Sequence, residues 1–316
     1  MKKKLLALTL ATLTVLGVTG CSSKATTQET PKESENKEVK LTYKEKEYTV
    51  PGSDAKLVIT GSLESLEDAL LLGVKPLGSM TVGGAFPDMF KEITGDATAI
   101  GEKTQPNLET ILSLKPDLIL GSSKFPEETL EKLNKIAPTI PVSHIATDWE
   151  ANLLLMGQLS GKEDKAKEII ENYKKDTSEA KAKLGETLKG KKVLTARMRA
   201  GNIAIYPANI FLNTVLYSDL GLEVPEPVAA AKAQENISLE KLSELNPDYI
   251  FLQFSEDENA DKPKALEELE SNPIWKNLNA VKDGKVFVNA VDPLAQGGTA
   301  WSKTEFLKAA VEKLSK

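Results

Sequence analysis

The chain has 316 residues, 41% of them apolar and 27% charged, with a net charge of −6, one histidine and one cysteine. That length suits two ordinary domains, and the composition is that of a soluble globular protein. The acidic balance argues against nucleic acid as a partner, because phosphate binding needs a basic face. A lone cysteine leaves no intrachain disulfide, and a transition-metal site built from several His or Cys ligands is not expected.

The chain opens with a processing segment. Lys2, Lys3 and Lys4 form a basic n-region, LLALTLATLTVLGV an apolar h-region, and VTGC ends at Cys21. The run is short for a membrane span. The lone cysteine, placed directly after a small-residue pair, resembles a bacterial lipobox, in which Cys21 is lipidated. Residues 1–20 are therefore expected to be a signal peptide. Residues 21–50 are rich in Ser, Thr, Lys and Glu, and are expected to be a flexible lipid-anchored tether, too polar to repay ordering.

The body is expected to begin at residue 51. VIT reads as a strand and SLESLEDALLLG as a helix that Ser62 or Ser65 can cap. KPLGSM, LKPDLILGSS and IPVSHIA continue a strand–helix alternation, the mark of a largely parallel α/β sheet. This first lobe runs to residue 160. Over 161–190 the pattern turns charged, proline-free and helical, which predicts a strut of about 27 residues, roughly 40 Å long. A second lobe follows over 191–316. KKVLTARMR is a strand, AGN a tight turn, IAIYP the returning strand, and NIFLNTVLYSDLGL a helix ending at Gly221. PDYIFLQF and GKVFVNA are strands, and TEFLKAAVEKLSK is the last helix.

The two lobes share a motif. LETILSLKPDLIL from Leu108 returns in register as LEKLSELNPDYIF from Leu239, so that Glu109 answers to Glu240 and Pro116-Asp117 to Pro247-Asp248. Each copy reads as an amphipathic helix, a Pro-Asp turn and a buried strand. The predicted fold is α/β: two Rossmann-like lobes joined by a long helical strut, with a ligand cleft between them.

Few residues could carry catalysis. His144 follows the apolar stretch TIPVS, where a structural role is expected, and no nucleotide-binding or nucleophile-elbow motif occurs in a supporting context. The positive feature is Arg197-Met198-Arg199. Residues two apart share a strand face, so both guanidiniums should point one way at a strand end, where α/β folds place ligand groups. Lys103 and Lys232 precede the two repeat helices, and Lys124 follows a strand end. Together these five residues describe a basic cleft in an acidic protein.

These tracts, with FPDMFKEIT, GEKTQPNLE, SSKFPE, AKAQ, ENADKP and VDPLAQGGTAWSK, cover essentially the whole body. They resemble the cluster A (class III) substrate-binding lipoproteins of iron–siderophore ABC importers, and within them the catecholate-siderophore (iron-bacillibactin) binders. The resemblance implies an extracytoplasmic, lipid-anchored protein that is not an enzyme. It would capture a ferric catecholate siderophore as a monomer and deliver it to a membrane permease. Lys103, Lys124, Arg197, Arg199 and Lys232 would line the bowl, with Gln234 a hydrogen-bond donor. Glu109 and Glu240 would dock on the permease. A tris-catecholate saturates iron(III) and leaves a trianion, so cations rather than protein metal ligands are needed and no cofactor is expected. Ala200 departs from the polar residue expected beside the second arginine. Alternatives are a binder of a hydroxamate chelate, haem or cobalamin, or a cell-surface hydrolase. Truncating either arginine is expected to leave ligand-free stability nearly unchanged or higher, because like charges separate.

Overall fold

A computed structural model describes residues 38–315. The signal segment, Cys21 and the tether up to residue 37 lie outside the described residues. Residues 39–50, expected inside the tether, are instead a hairpin in which β1 (Val39–Tyr43) pairs antiparallel with β2 (Lys46–Val50). Leu41, Tyr43 and Val50 are buried. The Lys44-Glu45 turn has φ of 48° and 64°, the left-handed pair that suits a two-residue hairpin. The correction has a local cause: LTY and YTV carry too short an alternation to stand out among the flanking Lys and Glu residues. The Tyr43 hydroxyl donates to Asn152 Oδ1 (2.6 Å) and accepts from the Ser143 N–H (2.8 Å), fastening the hairpin to the first lobe.

That lobe is built on β3 (Leu57–Ile59), β4 (Gly78–Thr81), β5 (Thr98–Glu102), β6 (Gln105–Pro106), β7 (Leu118–Ser122) and β8 (Thr139–Val142), in the order β6-β5-β4-β3-β7-β8. All pairings are parallel except β5 with β6. Leu57, Ile59, Leu118 and Leu120 enter the main core, whereas Val58 and Ile119 enter a smaller cluster with Ile100, Ile111 and Leu133. Alternate residues thus bury on opposite faces, as a sheet covered on both sides requires.

The second lobe uses β9 (Val193–Arg199), β10 (Asn202–Ile205), β11 (Glu235–Asn236), β12 (Tyr249–Phe254) and β13 (Val286–Val288), in the order β11-β10-β9-β12-β13. Strands β9, β12 and β13 are parallel, and β10 is antiparallel to both its neighbours. The helix expected over NIFLNTVLYSDLGL is a short π-helical stretch, Thr214–Asp219.

The repeat recurs bond by bond. Asn107 and Ser238 cap helices Leu108–Leu114 and Leu239–Leu245, and Lys115 and Asn246 end them in the left-handed region. Asp117 and Asp248 then each accept, at 2.9 Å, the backbone N–H of Lys56 and of Lys192. The Pro-Asp turn therefore ties each repeat strand to the chain entering its parallel neighbour.

The linking helix is Glu163–Leu184, 22 residues, about 33 Å long and shorter than expected. Its Tyr173 meets Trp149 edge-on at 5.3 Å and donates to Asp219 Oδ2 at 2.5 Å. The same carboxylate accepts from Lys303 Nζ at 2.6 Å, and that ammonium lies 5.7 Å from the Trp149 ring. This knot joins the linking helix, the helix Trp149–Leu159, the second lobe and the C-terminal helix Ala300–Leu314.

A second knot lies at the start of the C-terminal helix. Glu67, on the helix Leu63–Leu72, is fully buried. Its carboxylate accepts the Gln296 N–H (2.8 Å), the Ser302 hydroxyl (2.6 Å) and the hydroxyl of Thr299, the helix cap. A carboxylate suits a helix N-terminus. Burial still dominates and pushes Glu67 up to about 7, despite these bonds. Asp68 beside it is pushed well above the carboxylate range, first by burial and then by Glu67 and Glu64.

The folded state thus holds the Glu67 proton more tightly than the unfolded chain, whose carboxyl sits near 4.5. Its contribution is full below about 4.5 and is lost as pH rises through about 7. Across that window the unfolding free energy of Glu67→Gln should gain about 3 kcal/mol relative to wild type. Urea titrations at several pH values measure this, and a pH-independent difference would contradict the buried titration.

Candidate ligand-binding cleft

Charged groups, expected and unexpected alike, gather at the C-terminal ends of parallel strands, where open α/β sheets bind ligands. Glu64 follows β3, Lys124 follows β7, His144 follows β8, and Arg197 and Arg199 end β9. Glu64, Lys124, His144, Arg197, Arg199 and Tyr206 line one cavity of about 300 Å³, together with Ile145, Ile210 and Gln296.

Both arginines are present, but they are neither bare nor equivalent. Glu258 lies between them: its Oε2 accepts Arg197 Nε at 2.6 Å and its Oε1 accepts Arg199 Nη2 at 2.7 Å. Arg197 is buried, donates to the Pro293 carbonyl at 3.1 Å and stacks 5.4 Å from the Phe211 ring. Arg199 is the more open, with 40% of its side chain exposed, and its Nη1 donates to Gln234 Oε1 at 2.6 Å. Gln234 also accepts from the Tyr206 hydroxyl at 3.0 Å. Its carbonyl oxygen thereby accepts two hydrogen bonds.

Lys124 Nζ reaches Glu64 Oε1 at 3.3 Å, a carboxylate that is itself buried. Lys103 is half-buried. Burial lowers its pKa and the cations Lys124, Arg197 and Arg199 lower it further, against Glu64. Three of the five expected cations therefore line one cavity, and Lys103 lies within their electrostatic reach. Lys103, Lys232 and Gln234 are not among the residues that line the cavity with Lys124 and the arginines. Lys232 is exposed, and its backbone N–H donates to Glu235. Ala200 stands in the left-handed region (φ 47°) of the β9–β10 turn, and its N–H donates to the Glu258 carbonyl at 2.9 Å.

His144 lines the cleft, and its Nδ1 lies 2.8 Å from Ser123 Oγ. Burial first, then Lys124, lowers its pKa. The sequence reading also left out Glu64, Glu258, Tyr206 and Phe211. Only Glu258 carried a usable signal, as an acid inside the ENADKP tract.

The back wall comes from the Gln296-Gly297-Gly298 segment that Glu67 holds. A Cβ on Gly298 would sit 2.6 Å from that of Ala146, and one on Gly297 would sit 2.5 Å from the Phe211 backbone. Both glycines are imposed by close approach.

Glu109 and Glu240 lie in the first turns of their helices and are solvent-exposed. Among the described residues, no group of three or more His, Cys, Asp or Glu side chains could hold a metal ion, and no helix is long and apolar enough to cross a membrane.

Comparison with known proteins agrees with this architecture. The periplasmic binding protein family profile matches residues 58–290. The chain belongs to that family. It is 54% identical to the iron-uptake system-binding protein of Bacillus subtilis over 314 residues, covering 99% of both chains. The crystal structure of that B. subtilis protein, FeuA, superposes with a TM-score of 0.85 at 58% identity, over 87% of this chain and all of FeuA. FeuA, described as a triscatecholate siderophore binding protein, has also been solved with ferri-bacillibactin. That complex matches with a TM-score of 0.82 at 59% identity, over 87% of this chain and 98% of FeuA. The resemblance read from the sequence is borne out.

The Glu258 bridge reverses the expectation that removing an arginine would cost no stability. Arg197→Ala leaves a largely buried carboxylate half-paired and should destabilise the ligand-free protein by about 3–5 kcal/mol. Arg199→Ala, at the open end, should cost about 1 kcal/mol or less. Urea unfolding of both variants reads the contrast. Equal, negligible losses would return the pair to simple like-charge repulsion.

Proposed function

We propose that this protein is an extracytoplasmic substrate-binding protein that captures an iron-loaded catecholate siderophore for an ABC importer. The observation that carries the reading is the convergence of Lys124, Arg197 and Arg199 on one cavity, with Lys103 within their electrostatic reach, in an otherwise acidic chain. The cluster is only partly neutralised by Glu64 and Glu258. A tris-catecholate complex brings its own saturated iron and a spread negative charge. It asks the protein for cations and N–H donors and for no metal ligand. At about 4 Å and an effective dielectric near 20, each charge pair is worth up to about 4 kcal/mol before desolvation. Arg199, Lys124 and Lys103 are the proposed direct contacts, Arg197 supports them from beneath, and the Gln234 amide adds a donor. The ferri-bacillibactin complex of the similar FeuA supports this cargo class.

In this reading the protein binds and does not turn over its cargo. Lipidation at Cys21 would hold it at the outer face of the membrane, and Glu109 and Glu240 would present one carboxylate per lobe to the permease. Their equivalence in the repeat and their exposure support that role. Charged contacts of this kind mainly set orientation and association rate.

Two outcomes are expected. Tryptophan-fluorescence titrations should show ferric tris-catecholates binding far more tightly than near-neutral ferric hydroxamates, with affinity falling as salt rises. Arg199→Ala should weaken the former by about 2–5 kcal/mol. Equal affinity for a neutral complex would sink the charge argument. Glu109→Ala combined with Glu240→Ala should leave that affinity unchanged and abolish cellular uptake of iron. Normal uptake would reduce both residues to helix-start carboxylates.

A further inference from the structure

Five large apolar side chains are exposed among the described residues, and two of them, Ile145 (47%) and Ile210 (40%), line the cationic cleft. They approach from opposite lobes: Ile145 follows β8, and Ile210 follows β10. Neither is a frayed surface residue. The Ile145 N–H donates to Ser143 Oγ at 3.2 Å, and its carbonyl accepts the Asp148 N–H at 2.9 Å. The Ile210 N–H donates to the Pro207 carbonyl at 3.1 Å, and its neighbour is fixed in turn. Phe211 takes a left-handed φ of 58°, rare for an aromatic residue. Its buried ring lies 5.0 Å from Tyr206 and 5.4 Å from the Arg197 guanidinium, and Gly297 closes against its backbone. A β-branched side chain on a fixed backbone is itself stiff. Two rigid apolar surfaces therefore flank a floor of guanidinium and ammonium groups.

An anion with a polar periphery would satisfy the floor and leave both isoleucines against polar atoms. An anion with flat apolar edges would cover them and remove their surface from water. We infer that Ile145 and Ile210 form a two-sided apolar clamp that selects aromatic chelates over non-aromatic chelates of the same charge. The inference rests on the siderophore-capture reading and deepens it: charge admits the cargo class, and the clamp sets the preference within it.

The test uses two kinetically inert trianions, chromium(III) tris-catecholate and chromium(III) tris-oxalate, alike in charge and differing in aromatic edges. Wild type should bind the catecholate more tightly, by about ten-fold for each isoleucine covered. Ile145→Ser with Ile210→Ser should bring the catecholate down to the oxalate's affinity. Oxalate binding should stay within about two-fold, and the salt dependence of both should be unchanged, because no charge is altered. Both positions are exposed, so the urea midpoint should hold. Equal wild-type affinity for the two trianions, or an equal loss for both in the double variant, overturns the clamp and leaves the charged cleft standing. Failure of wild type to bind either trianion overturns the capture reading and the clamp with it.

Discussion

The molecule is organised around the Glu67 carboxyl, an ionisable group buried where the first lobe meets the start of the C-terminal helix, its pKa pushed up to about 7 by that burial. An isolated ion there would be prohibitively costly. The cost is reduced because Thr299, Ser302 and the Gln296 N–H all point at the carboxyl and because the N-terminus of a helix carries partial positive charge, and the remainder is met by holding the proton more tightly. Those donors can converge only if the Gly297-Gly298 segment runs flush against Phe211 and Ala146. One turn further on, Lys303 pairs with Asp219 inside the aromatic pair Trp149 and Tyr173. The C-terminal helix is thus pinned by an acid from one side and its own base from the other. Buried polar knots of this kind lend geometric uniqueness more than net stability, and uniqueness is what a preformed cleft between lobes requires.

The cleft is a balanced field rather than a patch of bare charge. Two carboxylates, Glu64 and Glu258, sit among the cations and are matched to particular partners. This lets so many like charges approach one another while the protein is empty. It also divides the arginines by depth: Arg197 is a structural member whose charge is largely spent, and Arg199 is the exposed head of the pair.

Much of this was legible in the amino-acid order. The helix–Pro-Asp–strand repeat announced two related lobes because backbone geometry is local: a side-chain cap at Asn107 or Ser238, a left-handed end at Lys115 or Asn246, and an aspartate tied to a strand start. Period-two placement put both arginines on one face. What stayed hidden is tertiary. Glu258 meets Arg197 across 61 positions of sequence and Glu67 meets Ser302 across 235, and no local pattern encodes such pairs. The hairpin at 39–50 escaped because its buried face amounts to Leu41, Tyr43 and Val50 amid charged neighbours. His144 looked structural from its apolar approach, since β8 buries Ile140 and Val142 and only the chain leaving it turns toward the cavity.

Glu258 has one more consequence. Because it is covalently part of the chain and already bonded to both guanidiniums, it acts as a tethered competitor for whatever anion enters the cleft. An arriving anion would exchange one partner for another instead of neutralising naked charge, and its departure would let the carboxylate reclaim the guanidiniums. Such an internal counter-ion lowers the ceiling on affinity while smoothing the route out. If the protein passes its cargo on, as proposed, the way out matters as much as the grip.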